Sequence, residues 1–429
     1  MNWRAKPALF LRDLLWAAAL GFVSGAACVG VRKFFQLLQW LMTGHAGMLS
    51  NAAAALPPWH RVLVPALGAL AAMAVTGFAH RYVHPEPFEE YVEAVQLNRG
   101  KILFLPTFWR TLSSAFSVAT GAAIGREGSM IQFATASTSW VGERFRFSRL
   151  PLATQVACGA AAAVSAAYQA PVAGVFFAAE IVMGGLVLSS LPLLLVAALS
   201  AHVMGVLLLG RGPIFAVPAH AVIQWNESTM LLLLVPALMG LLGPVYQWLM
   251  RSLRWTSRWP LPLLWSGIFV GLLSLKSTLV WGNGDAALIQ LTQASPAMGL
   301  LGGVLLLRLS SSVFCVGTGT VGGVFTPTVF IGGALGYLMA HFLPGSSVPL
   351  LTVLGMGCLL ASVTHAPLMA SFMAVELTGQ WPLLPVLLVA NLMAWQLSRR
   401  ISPHSLYAIA TPEPTRSHSP TGVGVKTGV

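Results

Sequence analysis

Apolar runs recur along almost the entire chain: Leu14–Val31, Val62–Ala79, Leu186–Leu209, Met230–Met250, Leu261–Leu275, Leu350–Leu360 and Pro382–Trp395. Several reach the roughly 20 residues with which an α-helix crosses the hydrocarbon of a bilayer. Charge is correspondingly scarce: 8% of the 429 residues are charged and 56% are hydrophobic, against about 25% charged in soluble domains. The chain therefore reads as an all-α polytopic membrane protein with the lipid bilayer as its solvent.

Other runs are too short to span, or are broken by glycine and proline. Unpaired backbone groups are costly in lipid, so interrupted helices are tolerated only inside protein or beside a water-filled cavity. This points to a transporter or channel and away from a simple anchor. The first run follows Arg4, Lys6 and Arg12; it is too long for the apolar part of a signal peptide and lacks a small-residue cleavage site, so a retained helix is expected. Those basic residues, with Arg399 and Arg400 at the other end, place both termini in the cytoplasm under the positive-inside rule, which implies an even number of complete crossings. The net charge of +12 then requires no nucleic acid as partner. Cys28, Cys158, Cys315 and Cys358 lack metal-ligand spacing, and there is no histidine cluster and no phosphate loop, so no metal or other cofactor is expected. The end of the chain, Thr411–Val429, is rich in Pro, Ser, Thr and Gly and reads as a flexible cytoplasmic tail, leaving no room for a soluble regulatory domain.

Two stretches match at a separation of 196 residues: Ala-Pro-Val-Ala-Gly-Val-Phe-Phe-Ala-Ala-Glu from Ala170 to Glu180, and Ala-Pro-Leu-Met-Ala-Ser-Phe-Met-Ala-Val-Glu from Ala366 to Glu376. Each has Ala-Pro, then Phe, then Ala-x-Glu at the same offsets, which reads as an internal repeat. Upstream of each copy lies a glycine-rich element, Gly-Arg-Glu-Gly-Ser at 125–129 and Gly-Val-Phe-Thr-Pro at 323–327. Paired halves with interrupted helices point to a midplane binding site between them.

Of the twelve acidic residues, nine lie near segment ends or in polar connections. Glu180 and Glu376 occupy matching repeat positions and are expected to accept hydrogen bonds at a turn or to pair with a basic group. Glu127 is different, with apolar sequence on both sides. An ionisable residue at such depth costs at least about 2.5 kcal/mol on insertion scales, which marks it as functional unless it merely pairs with Arg126 or caps a helix. A helix beginning near Gly128 would aim its N–H groups at an anion lying before it. Ionised, Glu127 would occupy that anion site; protonated, it would leave and a mobile anion would enter.

These residues resemble the CLC family of chloride channels and chloride/proton antiporters. The resemblance rests on Gly-Arg-Glu-Gly at 125–128, Gly-x-Phe-x-Pro at 323–327, the two Ala-Pro-x4-Phe-x3-Glu copies and Leu406-Tyr407, in order, from about residue 15 to 410. It implies a CLC-like fold of two inverted halves of tilted and broken helices, roughly 15–205 and 225–400, in a single transmembrane domain over residues 1–410. It also implies a homodimer with one pore per subunit, in a bacterial inner membrane. Glu127 would be the gate; Arg126, Gly128, Val324 and Phe325 would contribute to anion binding, the last three through backbone amides. The Tyr407 hydroxyl would cap the ion on the cytoplasmic side, and Arg110 would tune the pore. The alternative for Tyr407 is an interfacial aromatic, and for Phe325 plain packing.

Two departures qualify the likeness. The family's Gly-Ser-Gly-Ile-Pro should fall near 86–90, where this chain has Glu86-Pro-Phe-Glu-Glu90, and Ser129 replaces a usual proline. The inner glutamate of the antiporters is expected near Arg211–Val217, yet no carboxylate occurs between Glu180 and Glu227, and His202 and His220 are poor substitutes. Passive, voltage- or pH-gated chloride conduction is therefore expected, with proton-coupled exchange as the alternative. A membrane enzyme is a remote third reading: Gly282-Asn-Gly-Asp285 looks like one element of an intramembrane aspartyl protease, but that chemistry needs two aspartates, and the only other is Asp13.

Overall fold

The computed structural model describes residues 7–83, 90–145, 147–210, 212–217, 231–294, 296–343 and 347–407. The expected tail at 411–429, Glu86–Glu89, Arg211, His220 and Glu227 lie outside these residues. The first half contributes α1 (Pro7–Thr43), α2 (Leu49–Ala55), α3 (Pro58–Tyr82), α4 (Tyr91–Gln96), α5 (Phe104–Ala119), α6 (Glu127–Arg144), α7 (Leu152–Tyr168), α8 (Pro171–Phe177) and α9 (Leu191–Leu209). The second contributes α10 (Leu231–Ser252), α11 (Pro262–Ser274), α12 (Asp285–Gln293), α13 (Met298–Gly317), α14 (Phe325–Phe342), α15 (Val348–Thr364), α16 (Pro367–Thr378) and α17 (Leu384–Ile401). Six helical stretches among the described residues are long and apolar enough to cross a membrane, and five more are apolar but shorter.

Local sequence explains where the helices stop. α8, α11, α15 and α16 carry proline in their first turn, where the missing N–H costs nothing and φ is already helical. α7 and α15 end in a left-handed residue, Gln169 at φ 53° and His365 at φ 58°. Each is followed by an alanine outside the helical region, Ala170 (φ −124°, ψ 77°) and Ala366 (φ −127°, ψ 78°), the α conformation being disfavoured before proline. The repeat thus extends to backbone angles. Its two phenylalanines, Phe176 and Phe372, stack on one another with centroids 4.9 Å apart.

The repeat glutamates are exchanged between halves. The Glu180 carboxylate accepts from Leu368 N (3.2 Å) and Met369 N (2.8 Å) at the start of α16. Glu376 accepts from Val172 N (3.1 Å) and Ala173 N (2.8 Å) at the start of α8. First-turn N–H groups have no intrahelical acceptor, so each half supplies the cap that the other lacks. The expected role for these two acids, accepting hydrogen bonds at a turn, matches what they do. Elsewhere the helices close on small residues: a Cβ on Gly332 of α14 would strike the Gly355 carbonyl of α15, a backbone approach typical of membrane helices.

Candidate functional site

The two glycine-rich elements meet. Gly125 N donates to Gly323 O (2.6 Å) and Gly323 N to Gly125 O (2.7 Å), an antiparallel pair linking the halves just ahead of α6 and α14. This is how an inverted repeat brings two helix N-termini together. A Cβ on Gly128 would lie 3.0 Å from the Gly323 Cα and N, so the two backbones pass in tight contact. Hydroxyls brace the junction: Ser129 Oγ donates to Ser114 Oγ (2.6 Å), Ser114 Oγ to Val321 O (2.7 Å), and Ser312 Oγ to Ala123 O (2.7 Å). Ser129, where the family usually has proline, is thereby a tie between α6 and α5.

Glu127 opens α6 and is 6% exposed. Its Oε1 accepts a 2.6 Å hydrogen bond from Asn283 Nδ2, and its Oε2 lies against Gly125, where a Cβ would collide with it. Two cavities flank this side chain. One, of about 280 Å³, is lined by Glu90, Arg110, Gly128, Val324, Phe325 and Tyr407, among others. The second, of about 270 Å³, is lined by Arg32, Gln36, Arg126, Asn283 and Asp285, with Ile214 and Phe215. Glu127 and Tyr168 are the two residues that border both. The carboxylate therefore stands between two aqueous-sized spaces, with the first turns of α6 and α14 beside it. Unpaired N–H groups at such turns favour negative charge.

Of the residues expected at the site, Arg110, Glu127, Gly128, Val324, Phe325 and Tyr407 line a single cavity, whereas Arg126 lines the other and reaches Asp285 at 3.7 Å. Tyr407 is held by the bond from Leu406 N to Val363 O (3.0 Å), with its ring edge-on to Phe177. Phe325 packs on Tyr168, centroids 5.1 Å apart. Arg110 is paired with Glu90, Nη2 to Oε1 3.4 Å.

Three readings of the sequence change. Asp285 and Asn283 belong to the surroundings of Glu127: the fully buried Arg308 guanidinium donates to Leu279 O (2.6 Å), Val280 O (3.3 Å) and Gly282 O (3.0 Å), fixing the loop that presents Asn283. Asp13 accepts from Ser148 Oγ (2.6 Å), apart from Asp285, so the two aspartates form no dyad. Glu90, taken as a solvated acid, borders the cavity of Tyr407. Residues 212–217 lie on the opposite side of Glu127 from that cavity, with Phe215 N on Leu377 O (2.9 Å) and Val217 N on Thr378 O (3.2 Å) at the end of α16. The lack of a carboxylate there carries no information about an inner proton relay. Asn283 and Arg32 join the site only in the fold; the sequence marks the first with a polar Gly-Asn-Gly-Asp cluster inside apolar sequence and the second with no more than a basic residue following an apolar run.

Comparison with known proteins agrees with this geometry. Residues 67–399 match the family model described as voltage gated chloride channel. The chain is 37% identical over 413 residues to the voltage-gated ClC-type chloride channel ClcB of Escherichia coli O157:H7 and to that of Escherichia coli O127:H6, covering 92% of this chain and 98% of each relative. Its fold is similar to that of a slow cyanobacterial Cl⁻/H⁺ antiporter (TM-score 0.81, 21% identity, 93% of this chain and 96% of that one). It is also similar to a CLC-type fluoride/proton antiporter (TM-score 0.76, 21% identity, 96% and 99%). A buried glutamate between two cavities, two inverted halves joined at their glycines and these matches lead to one assignment: the chain belongs to the voltage-gated chloride channel, or CLC, family.

Proposed function

We propose that this multi-pass membrane anion transporter moves chloride, or a similar small anion, between the two cavities, with Glu127 as the gate. The observation that carries the proposal is the position of Glu127, a buried carboxylate at a helix start that borders both spaces. Ionised, it holds the place an anion would take before the α6 N–H groups; protonated, it has no reason to stay. Gly128, Val324 and Phe325 would offer backbone amides to the ion, Arg126 would hold it on one side, and Arg110 and Tyr407 would set conditions on the other. We further propose that Tyr407 faces the cytoplasm, as do both termini, that the membrane is a bacterial inner membrane, and that two copies pair with one pore each.

Passive conduction, the mechanism expected from the sequence, loses its ground once residues 212–217 are placed away from the Tyr407 cavity. A second reading, anion/proton exchange, is favoured by Glu90, a second acid in the cavity of Tyr407, since a proton crossing low-dielectric protein needs titratable stations. Flux from liposomes separates them. An imposed chloride gradient drives no proton uptake through a channel and drives uptake at fixed stoichiometry through an exchanger. In either case Glu127→Gln, a mimic of the protonated gate, removes most of the pH dependence of chloride flux. Reconstituted protein that moves no halide at any pH would overturn the proposal, and unchanged pH dependence in the variant would remove Glu127 from its role.

A further inference from the structure

We infer that the cavity on the Arg126 side of the gate is itself an anion-docking site, with Arg32 as its principal cation. The inference rests on the transport reading above and adds to it a site where a small monovalent anion docks once the Glu127 carboxylate is neutralised or has moved away. Arg32 comes from α1, far in sequence from the glycine-rich elements and the repeat, and lines the same cavity as Arg126, Asn283 and Asp285. Its Nε is buried and has no hydrogen-bond partner among the described residues, and Arg32 makes no salt bridge among them. A guanidinium carries five donors and keeps its charge, so an unmatched one beside a cavity is a standing attraction for an anion.

The local charges support the same conclusion. Arg126 and Arg32 face one acid, Asp285, which is engaged with Arg126 at 3.7 Å. The remaining acid at the cavity is Glu127 itself, whose Oε1 accepts a hydrogen bond from Asn283 Nδ2 at 2.6 Å. With Glu127 ionised, the cavity is balanced, two cations against two carboxylates. When the gate is neutral or displaced, one positive charge is left over and the Asn283 amide loses its acceptor. The cavity thus gains affinity for an anion when the pathway behind it opens.

The test is the chloride dependence of flux in liposomes, at a pH where the wild-type gate is active. Arg32→Gln removes a unit positive charge from the cavity lining, and the half-saturating chloride concentration should rise about five- to tenfold. Arg32→Lys should recover most of the loss. Asp285→Asn, which removes the opposing charge, should shift it the opposite way, to lower chloride. A scaffold role for the loop would instead move both variants in the same direction or lower only the maximal rate, and either result overturns the inference. So does a wild-type concentration dependence in a folded Arg32→Gln protein. Wild-type protein that carries no chloride would overturn the transport reading instead, so the two failures are distinct.

Discussion

At the scale of single residues, the proposed gate, Glu127, is tied to one amide. Asn283 Nδ2 stabilises the ionised Glu127 carboxylate at 2.6 Å, and a hydrogen bond to a charged group contributes about 1.5–3 kcal/mol net. Asn283→Ala should therefore let the gate release at higher pH: the flux–pH curve moves alkaline by about one unit, given about 1.4 kcal/mol per unit. A curve that stays in place would show the amide to be incidental. Glu127 was legible in the sequence because an acid amid glycines and apolar residues violates the cost of burial. Asn283 was not, because its partner lies 156 residues away and amides carry no burial signature of their own. Glu90 was misread for a related reason: an acid at the edge of a polar connection looks solvated until the chain closes Tyr407 and Arg110 around the same cavity.

At the scale of elements, the breaks between helices matter as much as the helices. Prolines announced the starts of α8 and α16, and the shared Ala-Pro-x4-Phe-x3-Glu pattern announced that they were equivalent. The pattern did not reveal that each glutamate serves the other copy's helix, since a cap reaching across 188 to 204 residues leaves no local trace. Nor were α13 and α14 among the apolar runs, because Arg308 and clustered glycines interrupt them; Arg308 proves to be an internal clamp on three carbonyls. The exchanged caps predict stability effects. Glu376→Leu leaves the N–H groups of Val172 and Ala173 without an acceptor, at about 1–3 kcal/mol each. Its thermal midpoint in detergent should fall by several degrees, and Glu376→Gln, which keeps one acceptor oxygen, should fall between the variant and wild type. Equal midpoints for all three would remove Glu376 from its capping role.

At the scale of the whole molecule, the two halves share the site between them: Glu127 and Gly128 come from one, Asn283, Val324, Phe325 and Tyr407 from the other. Links such as Ser114 Oγ to Val321 O and Ser312 Oγ to Ala123 O cross the same boundary. Cutting the chain within 218–230 and co-expressing the pieces should yield a complex that co-purifies and carries chloride, while neither piece alone does. Recovery of flux from a single piece would contradict a site assembled by both. The meeting of Gly125 with Gly323 has a longer consequence. The hydrogen bonds of that seam run from main chain to main chain; a Cβ on Gly323 would press on the Gly128 nitrogen at 3.0 Å and one on Gly125 would push against the Glu127 carboxylate, so a side chain at either position disturbs the site itself. Tuning the site without disturbing that junction therefore falls to the side chains around it, at positions such as Ser129, Asn283 and Arg32.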